Sequence, residues 1–214
     1  MLFRSLAVGA GGTGVTVSTG SGTLTLANGP TLTNPTLATT ETWTSIAPPA
    51  WAAGTLYYDN TNDVLDFYNG SASVQNDVHL GSEVQFAVYN STGSTIPMGS
   101  AVYITGQHAQ IPTVALAQAN SAATTNAIGL TNTAIPNNTQ GYVVVLGKFT
   151  GINTSGFTSS QLLFLSDSVA GGLTNVAPTA STSFQVPIAY CTYSNPSNGV
   201  VELIGPLQIG RAHV

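Results

Sequence analysis

Residues 55–68 read TLYYDNTNDVLDFY, and this stretch decides the fold class. Strand-forming residues occupy its two ends, 55–59 and 64–68, and the turn-forming run 60–63 separates them. The pattern predicts a β-hairpin that a second turn closes at Asn69-Gly70. We expect cross-strand aromatic pairs in this hairpin among Tyr57, Tyr58, Phe67 and Tyr68.

The composition of the whole chain also points to an uncharged β protein. Only 11 of its 214 side chains are charged, 3 basic and 8 acidic, whereas about 25% of an ordinary soluble domain is charged. Three small polar types dominate instead, with 30 Thr, 20 Ser and 16 Asn. So few basic residues argue against nucleic-acid binding, and the scarcity of Glu and Lys argues against a helical bundle. No stretch approaches the roughly 20 apolar residues of a membrane helix, so we expect no membrane span.

Residues 1–45 form a separate segment of short strand repeats. Val15-Thr16-Val17-Ser18 and Leu24-Thr25-Leu26 alternate apolar and polar residues, and turn signals separate such runs. Each run offers only two apolar side chains on one face, which a single chain cannot bury alone. Three copies around one axis can bury them against each other. The segment therefore predicts the slender shaft or docking part of a homotrimer, with a flexible linker as the alternative.

The rest of the chain divides into a β-hairpin module over 46–80 and a C-terminal β domain over 81–208. Turn signals recur every 8 to 15 residues in the second part, which is typical of a β-sandwich or a small barrel. Residues 141–149 make its most apolar strand and should be the most buried. Residues 114–123 fit a short helix or a strand followed by a loop. The predicted strands are 84–89, 101–104, 141–149, 162–165, 186–190 and 200–204.

The sequence at each end of the chain leads to a separate expectation. Residues 209–214, IGRAHV, look like the translation of a sequencing-adapter read-through, so we expect a non-native tail and give Arg211 and His213 no role. The opening residues 1–8 lack an apolar core long enough for a secretory signal, since a glycine-rich run interrupts it.

The candidate sites are few. Oxygen ligands at alternate positions suit Ca²⁺, so Asp59, Asp63 and Asp66 make a weak metal candidate, with an ordinary Asp/Asn turn as the favoured alternative. His79 and His108 have no Ser/Asp partners in a recognisable pattern, so we expect no catalytic residue, no cofactor and no enzyme activity. Cys191 should be a buried, inert thiol. Aromatic side chains that could contact sugars or other subunits are Trp43, Trp51, Tyr57, Tyr58 and Tyr68.

Several short motifs resemble the structural proteins of bacteriophage particles. Residues 3–17 and the run Thr31-Leu32-Thr33-Asn34-Pro35-Thr36-Leu37 are similar to the strand and shaft repeats of phage fibres. Residues 54–70 resemble a hairpin module that is common in those fibres. The stretches 127–130, 147–157 and 171–174 are similar to virion surface modules.

The resemblance implies a trimer that is exposed on the virion as a tail fibre, a head fibre or a capsid-decorating cement protein. Its partners would be copies of itself, other capsid or tail proteins and host-surface glycans, and no catalytic residue carries over. Two other readings stay open. A bacterial surface adhesin or extracellular filament subunit would share this composition. A fibre-borne glycan hydrolase would need two carboxylates about 5 to 9.5 Å apart.

Overall fold

The computed structural model describes residues 45–46, 48–61 and 64–205. This part of the chain contains β-strands and no α-helix, which confirms the all-β fold class. No helix within these ranges is long and apolar enough to cross a membrane. The predicted shaft over residues 1–45, apart from Ser45, and the predicted tail at 209–214 lie outside the described residues. The division into a hairpin module and a C-terminal domain stays a prediction.

A four-stranded sheet follows the predicted hairpin. Its strands are β1 (Ser45–Ile46), β2 (Leu56–Asp59), β3 (Val64–Ser71) and β4 (Val74–Leu80), in the order β1-β2-β3-β4. Strands β2 and β3 confirm the hairpin. The predicted turn at Asn69-Gly70 is wrong, because both residues continue β3 and the chain reverses at Ala72-Ser73 instead. Gly70 takes a left-handed φ of 92°, where an added Cβ would overlap the backbone carbonyl of Val74.

The register of the hairpin decides which aromatic residues pair. Asp59 lies opposite Val64, so Tyr57 faces Asp66 across the strands and Leu56 faces Phe67. The expected cross-strand aromatic pairing is confirmed for Tyr57 and Tyr68, which meet diagonally with ring centroids 5.1 Å apart in an edge-on arrangement.

A nine-stranded sheet forms the rest of the described chain. Its strands are β5 (Glu83–Asn90), β6 (Ala101–His108), β7 (Ile111–Leu116), β8 (Ala127–Thr131), β9 (Thr139–Ile152), β10 (Leu162–Leu165), β11 (Leu173–Thr174), β12 (Pro187–Tyr193) and β13 (Gly199–Leu203). Their order is β11-β10-β12-β13-β9-β5-β7-β6-β8, and β8 also pairs with β9. The strands β9, β5, β7, β6 and β8 therefore close into a five-stranded ring, which fits the predicted small barrel.

Two apolar clusters share the long strand β9. Val143 packs with Val88, Val102 and Val114 in the smaller cluster, and the adjacent Val144 packs in the larger cluster with residues of β10, β12 and β13. Because successive side chains of a strand point to opposite faces, β9 needs apolar residues at both positions. Residues 141–144 are all buried, but residues 145–148 are not, so the expectation that 141–149 is the most buried strand is wrong: β8 is buried at four of its five positions. Residues 114–123 resolve as the end of β7 followed by a loop.

Candidate functional site

The main cluster of ionisable side chains lies on one face of the four-stranded sheet. Asp66 of β3 is directly opposite His79 of β4, and Asp77 stands two residues before His79 on the same strand. Alternate residues of a strand share a face, so the three side chains converge. One potential ligand atom from each of Asp66, Asp77 and His79 lies within 4.8 Å of the others. The register thus assembles two carboxylates and one imidazole.

Burial sets the chemistry of this cluster. Asp66 is 0% exposed, and neither of its carboxylate oxygens has a hydrogen-bond partner among the described residues. One carboxylate oxygen of Asp77, Oδ1, is also buried without such a partner in this part of the chain. Asp66 Oδ1 lies 3.9 Å from Nε2 of His79, which is beyond hydrogen-bond distance. A buried carboxylate in this position destabilises the fold unless a proton or a cation neutralises it.

Glu83 contacts the ring nitrogen of His79 that is not the one nearest Asp66. Nδ1 of His79 lies 3.3 Å from Oε2 of Glu83, which is four residues along the chain and follows the turn into β5. Gln85 fixes that carboxylate, because its Nε2 donates to Glu83 Oε1 at 2.9 Å and to the backbone carbonyl of Asp77 at 2.8 Å. Glu83 and Gln85 therefore hold the imidazole with Nε2 directed at Asp66.

The environment shifts the ionisation of each group in the cluster. Burial raises the pKa of Asp77 to about 6, and the neighbouring Asp66 charge adds to the shift. Burial also raises the pKa of Asp66, and His79 partly opposes that change. The hydrogen bond with Glu83 raises the pKa of His79, against the opposing effect of burial. The three groups therefore hold their protons more tightly than the same groups do in water.

An aromatic group borders the cluster. The Tyr57 hydroxyl donates to the Tyr68 hydroxyl at 3.0 Å, and Tyr68 donates to the backbone carbonyl of Pro49 at 3.0 Å. Trp51 stacks on Tyr68 with ring centroids 6.4 Å apart. Burial and the bond to Tyr68 raise the pKa of Tyr57 well above its usual value. These tyrosines keep their protons and fix one wall of the acidic cluster.

The structure describes two of the three residues of the predicted metal site. Asp59 is buried, and its Oδ1 accepts a hydrogen bond from the backbone N–H of Thr61 at 2.7 Å, as in an Asp-led turn. Asp66 lies in the cluster with Asp77 and His79. Asp63 lies outside the described residues, so the proposed grouping with Asp59 and Asp66 stays a prediction.

The aromatic candidates also divide. Tyr57 and Tyr68 are buried, at 3% and 5% exposure, so they support the sheet rather than present a free surface. Trp51 and Tyr58 are half-buried. Trp43 lies outside the described residues.

His108 and Cys191 belong to no cluster of metal-ligating side chains among the described residues. His108 stacks on Tyr89 with ring centroids 4.0 Å apart on an exposed strand end. Cys191 is 0% exposed in β12, which confirms the expectation of a buried thiol.

Sequence reasoning missed the convergence of Asp66, Asp77 and His79. The spacing Asp77-Val78-His79 was a usable signal, because residues i and i+2 share a face once the segment is assigned as a strand. That assignment was absent, since VQNDVHL mixes polar and apolar residues and carries two of the weakest strand formers, Asn and Asp. Without β4, nothing placed His79 beside Asp66.

A second surface feature lies on the nine-stranded sheet. Val84 of β5 and Leu146 of β9 are directly opposite each other and are 54% and 49% exposed. They line a shallow depression together with Glu202 and the turn residues Gly81 and Ser82. We call Val84 and Leu146 the apolar patch. The solvent face of an antiparallel sheet is normally polar, so this apolar pair departs from the usual pattern.

Comparisons with known proteins returned little. The chain matches no protein-family model and no curated protein. Among solved structures it is similar to the N-terminal base of the head fibre protein gp8.5 of bacteriophage phi29, with a TM-score of 0.38 and 14% identity. The match covers 58% of this chain and 97% of that one. Likeness at this level carries no argument about the role of this chain.

Proposed function

We propose that the chain is a structural protein of a bacteriophage particle, a fibre or capsid-decoration subunit that acts without catalysis. In this proposal it assembles as a homotrimer on the virion surface and contacts other capsid or tail proteins. The sequence motifs that resemble phage fibres support the class of particle. The all-β architecture, with short strands and many turns, suits a rigid module on such a particle.

The observation that carries the proposal is the apolar patch. Val84 and Leu146 sit half exposed in the two most extensively paired strands of the sheet, where a solitary domain would place polar side chains. The chain also has few charges, and the cores of protein interfaces are depleted of charged residues. The apolar patch and the low charge both favour a second copy of the chain as the partner, because two such surfaces can associate without charges of opposite sign.

Cell fractionation tests the role. Particles from a lysate of the host that carries the gene are purified on a density gradient and probed with an antibody against the recombinant chain. The proposal predicts that the chain bands with the particles and that gold-labelled antibody decorates their outside. Recovery in the host cell envelope, away from particles, would instead favour the adhesin. Release of reducing sugars from host polysaccharide by the purified chain would favour the hydrolase.

A further inference from the structure

The cluster on the four-stranded sheet has the donor set of a metal site. Asp66, Asp77 and His79 each offer one ligand atom, and these atoms lie within 4.8 Å of one another. Two carboxylate oxygens and one imidazole nitrogen are the kinds of ligand that divalent transition ions accept. The three residues come from two paired strands, so the sheet fixes their spacing without help from a loop.

A second observation points to a ligand. Asp66 is fully buried and directed at the other two groups, yet both of its oxygens lack a hydrogen-bond partner. Asp77 also keeps one buried oxygen in this state. Most buried polar atoms in folded proteins are paired, so the unpaired oxygens of these two carboxylates call for a partner. A cation bound by one oxygen of each carboxylate would supply it.

The charge distribution favours a cation as that partner. Five of the eight acidic residues of the chain lie between positions 59 and 83, and this interval contains no Lys or Arg. Lys148 lines a small crevice together with His79 and Glu83. His79 is therefore the one basic side chain that β3 and β4 place beside the negative charge of Asp66.

The imidazole decides the class of ion. Glu83 contacts Nδ1 of His79 and leaves Nε2 facing Asp66, and Gln85 in turn holds Glu83. A carboxylate on the outer nitrogen of a histidine is the usual support of a metal-bound imidazole. Imidazole suits first-row transition ions, whereas Ca²⁺ and Mg²⁺ prefer oxygen ligands alone.

We propose that Asp66, Asp77 and His79 bind one divalent first-row transition-metal ion, with Glu83 as the positioning residue for His79. The ion ties β3 to β4 and so braces the four-stranded sheet. The site shares Asp66 with the Asp59/Asp63/Asp66 grouping suggested by the sequence but differs from it in the other two ligands and in its metal class. It does not depend on the role proposed above.

The test titrates the full chain with metal. Chain stripped with EDTA and freed of any tag is titrated with Zn²⁺, Mn²⁺ and Ca²⁺ by calorimetry. We expect one equivalent of Zn²⁺ or Mn²⁺ to bind at least tenfold more tightly than Ca²⁺. At a free concentration 100-fold above Kd, the bound ion should raise the unfolding midpoint by about 5–10 °C. No binding of Zn²⁺ or Mn²⁺, or equal binding of Ca²⁺, would overturn the proposal.

Matched variants locate the site. His79→Gln should weaken binding at least about tenfold, and Glu83→Gln about 10–100-fold. His108→Gln removes a histidine outside the cluster and should leave the affinity unchanged. An unchanged affinity in His79→Gln, or an equal loss in His108→Gln, would place the ion elsewhere and refute the assignment.

One measurement needs no variant, in case His79→Gln does not fold. Zinc K-edge X-ray absorption of the wild-type complex should show outer-shell scattering from one imidazole and first-shell distances near 2.0 Å. A spectrum without imidazole scattering would exclude His79 as a ligand and overturn the proposal.

Discussion

The hydroxyl of Thr154 provides the sharpest stability prediction. Thr154 is fully buried after β9, where its Oγ1 donates to the backbone carbonyl of Tyr193 at 2.8 Å and accepts from the backbone N–H of Asn195 at 2.9 Å. These bonds join the end of β9 to the turn between β12 and β13. Thr154→Val keeps the shape of the side chain and removes both bonds.

The cost follows from those two bonds. Each contributes about 1 kcal/mol net, and the backbone groups left behind lose a buried partner, so the free energy of unfolding should fall by about 2–3 kcal/mol. A unit of this size loses about 2–4 °C of midpoint per kcal/mol. We therefore expect the thermal unfolding midpoint of Thr154→Val to fall by about 4–12 °C.

Urea denaturation followed by circular dichroism measures the effect, and Thr192→Val is the matched control. The Thr192 hydroxyl is exposed and makes one longer bond, 3.2 Å to the carbonyl of Val200. Its loss should cost less than about 0.5 kcal/mol, because water replaces the partner. A Thr154→Val variant within about 0.5 kcal/mol of wild type, or a Thr192→Val variant that costs as much, would refute the reasoning.

Three further predictions follow from the fold. Gly199→Ala should lower the free energy of unfolding by about 3 kcal/mol or more in the same assay, since a Cβ there would overlap Thr154 Oγ1 and the backbone. Gly156→Ala places its Cβ in open space and should leave stability unchanged, so equal stabilities of the two variants would contradict the prediction. Cys191 should react with a thiol reagent at least about 100-fold more slowly in the native chain than in urea, and a fast native reaction would show that β12 opens readily. Leu146→Ser should weaken self-association roughly 100-fold, measured by sedimentation, because about 1 kcal/mol is lost in each of three copies. Val176→Ser changes a loop residue that is 69% exposed and should leave self-association unchanged, and equal effects of the two variants would show that the patch is not in the interface.

The sequence predicts the local elements of this fold well where composition and periodicity agree. Strand β10 is predicted at 162–165 and found there, and the turn residues 60–63 separate β2 from β3 as expected. Strand β8 was missed as a strand, because AIGLT is short and contains a glycine that strands seldom hold. Its position is set by the ring, where it pairs with both β6 and β9.

The candidate site was beyond the reach of sequence reasoning for a related reason. Asp66 and His79 are 13 positions apart, and only the pairing of β3 with β4 brings them together. Glu83 reaches His79 through the turn at Gly81-Ser82, whose geometry depends on Gly81 at a φ of 87°. Contacts between strands are set by register, and a one-residue slip would have moved Asp66 to the other face.

The native mass of the full chain tests the central claim most directly. Native mass spectrometry and sedimentation velocity at micromolar concentration should give a single species of about 65 kDa, three times the 21.8 kDa of one chain. That result would support a trimeric virion subunit. A stable 21.8 kDa monomer that persists as the concentration rises would contradict the account.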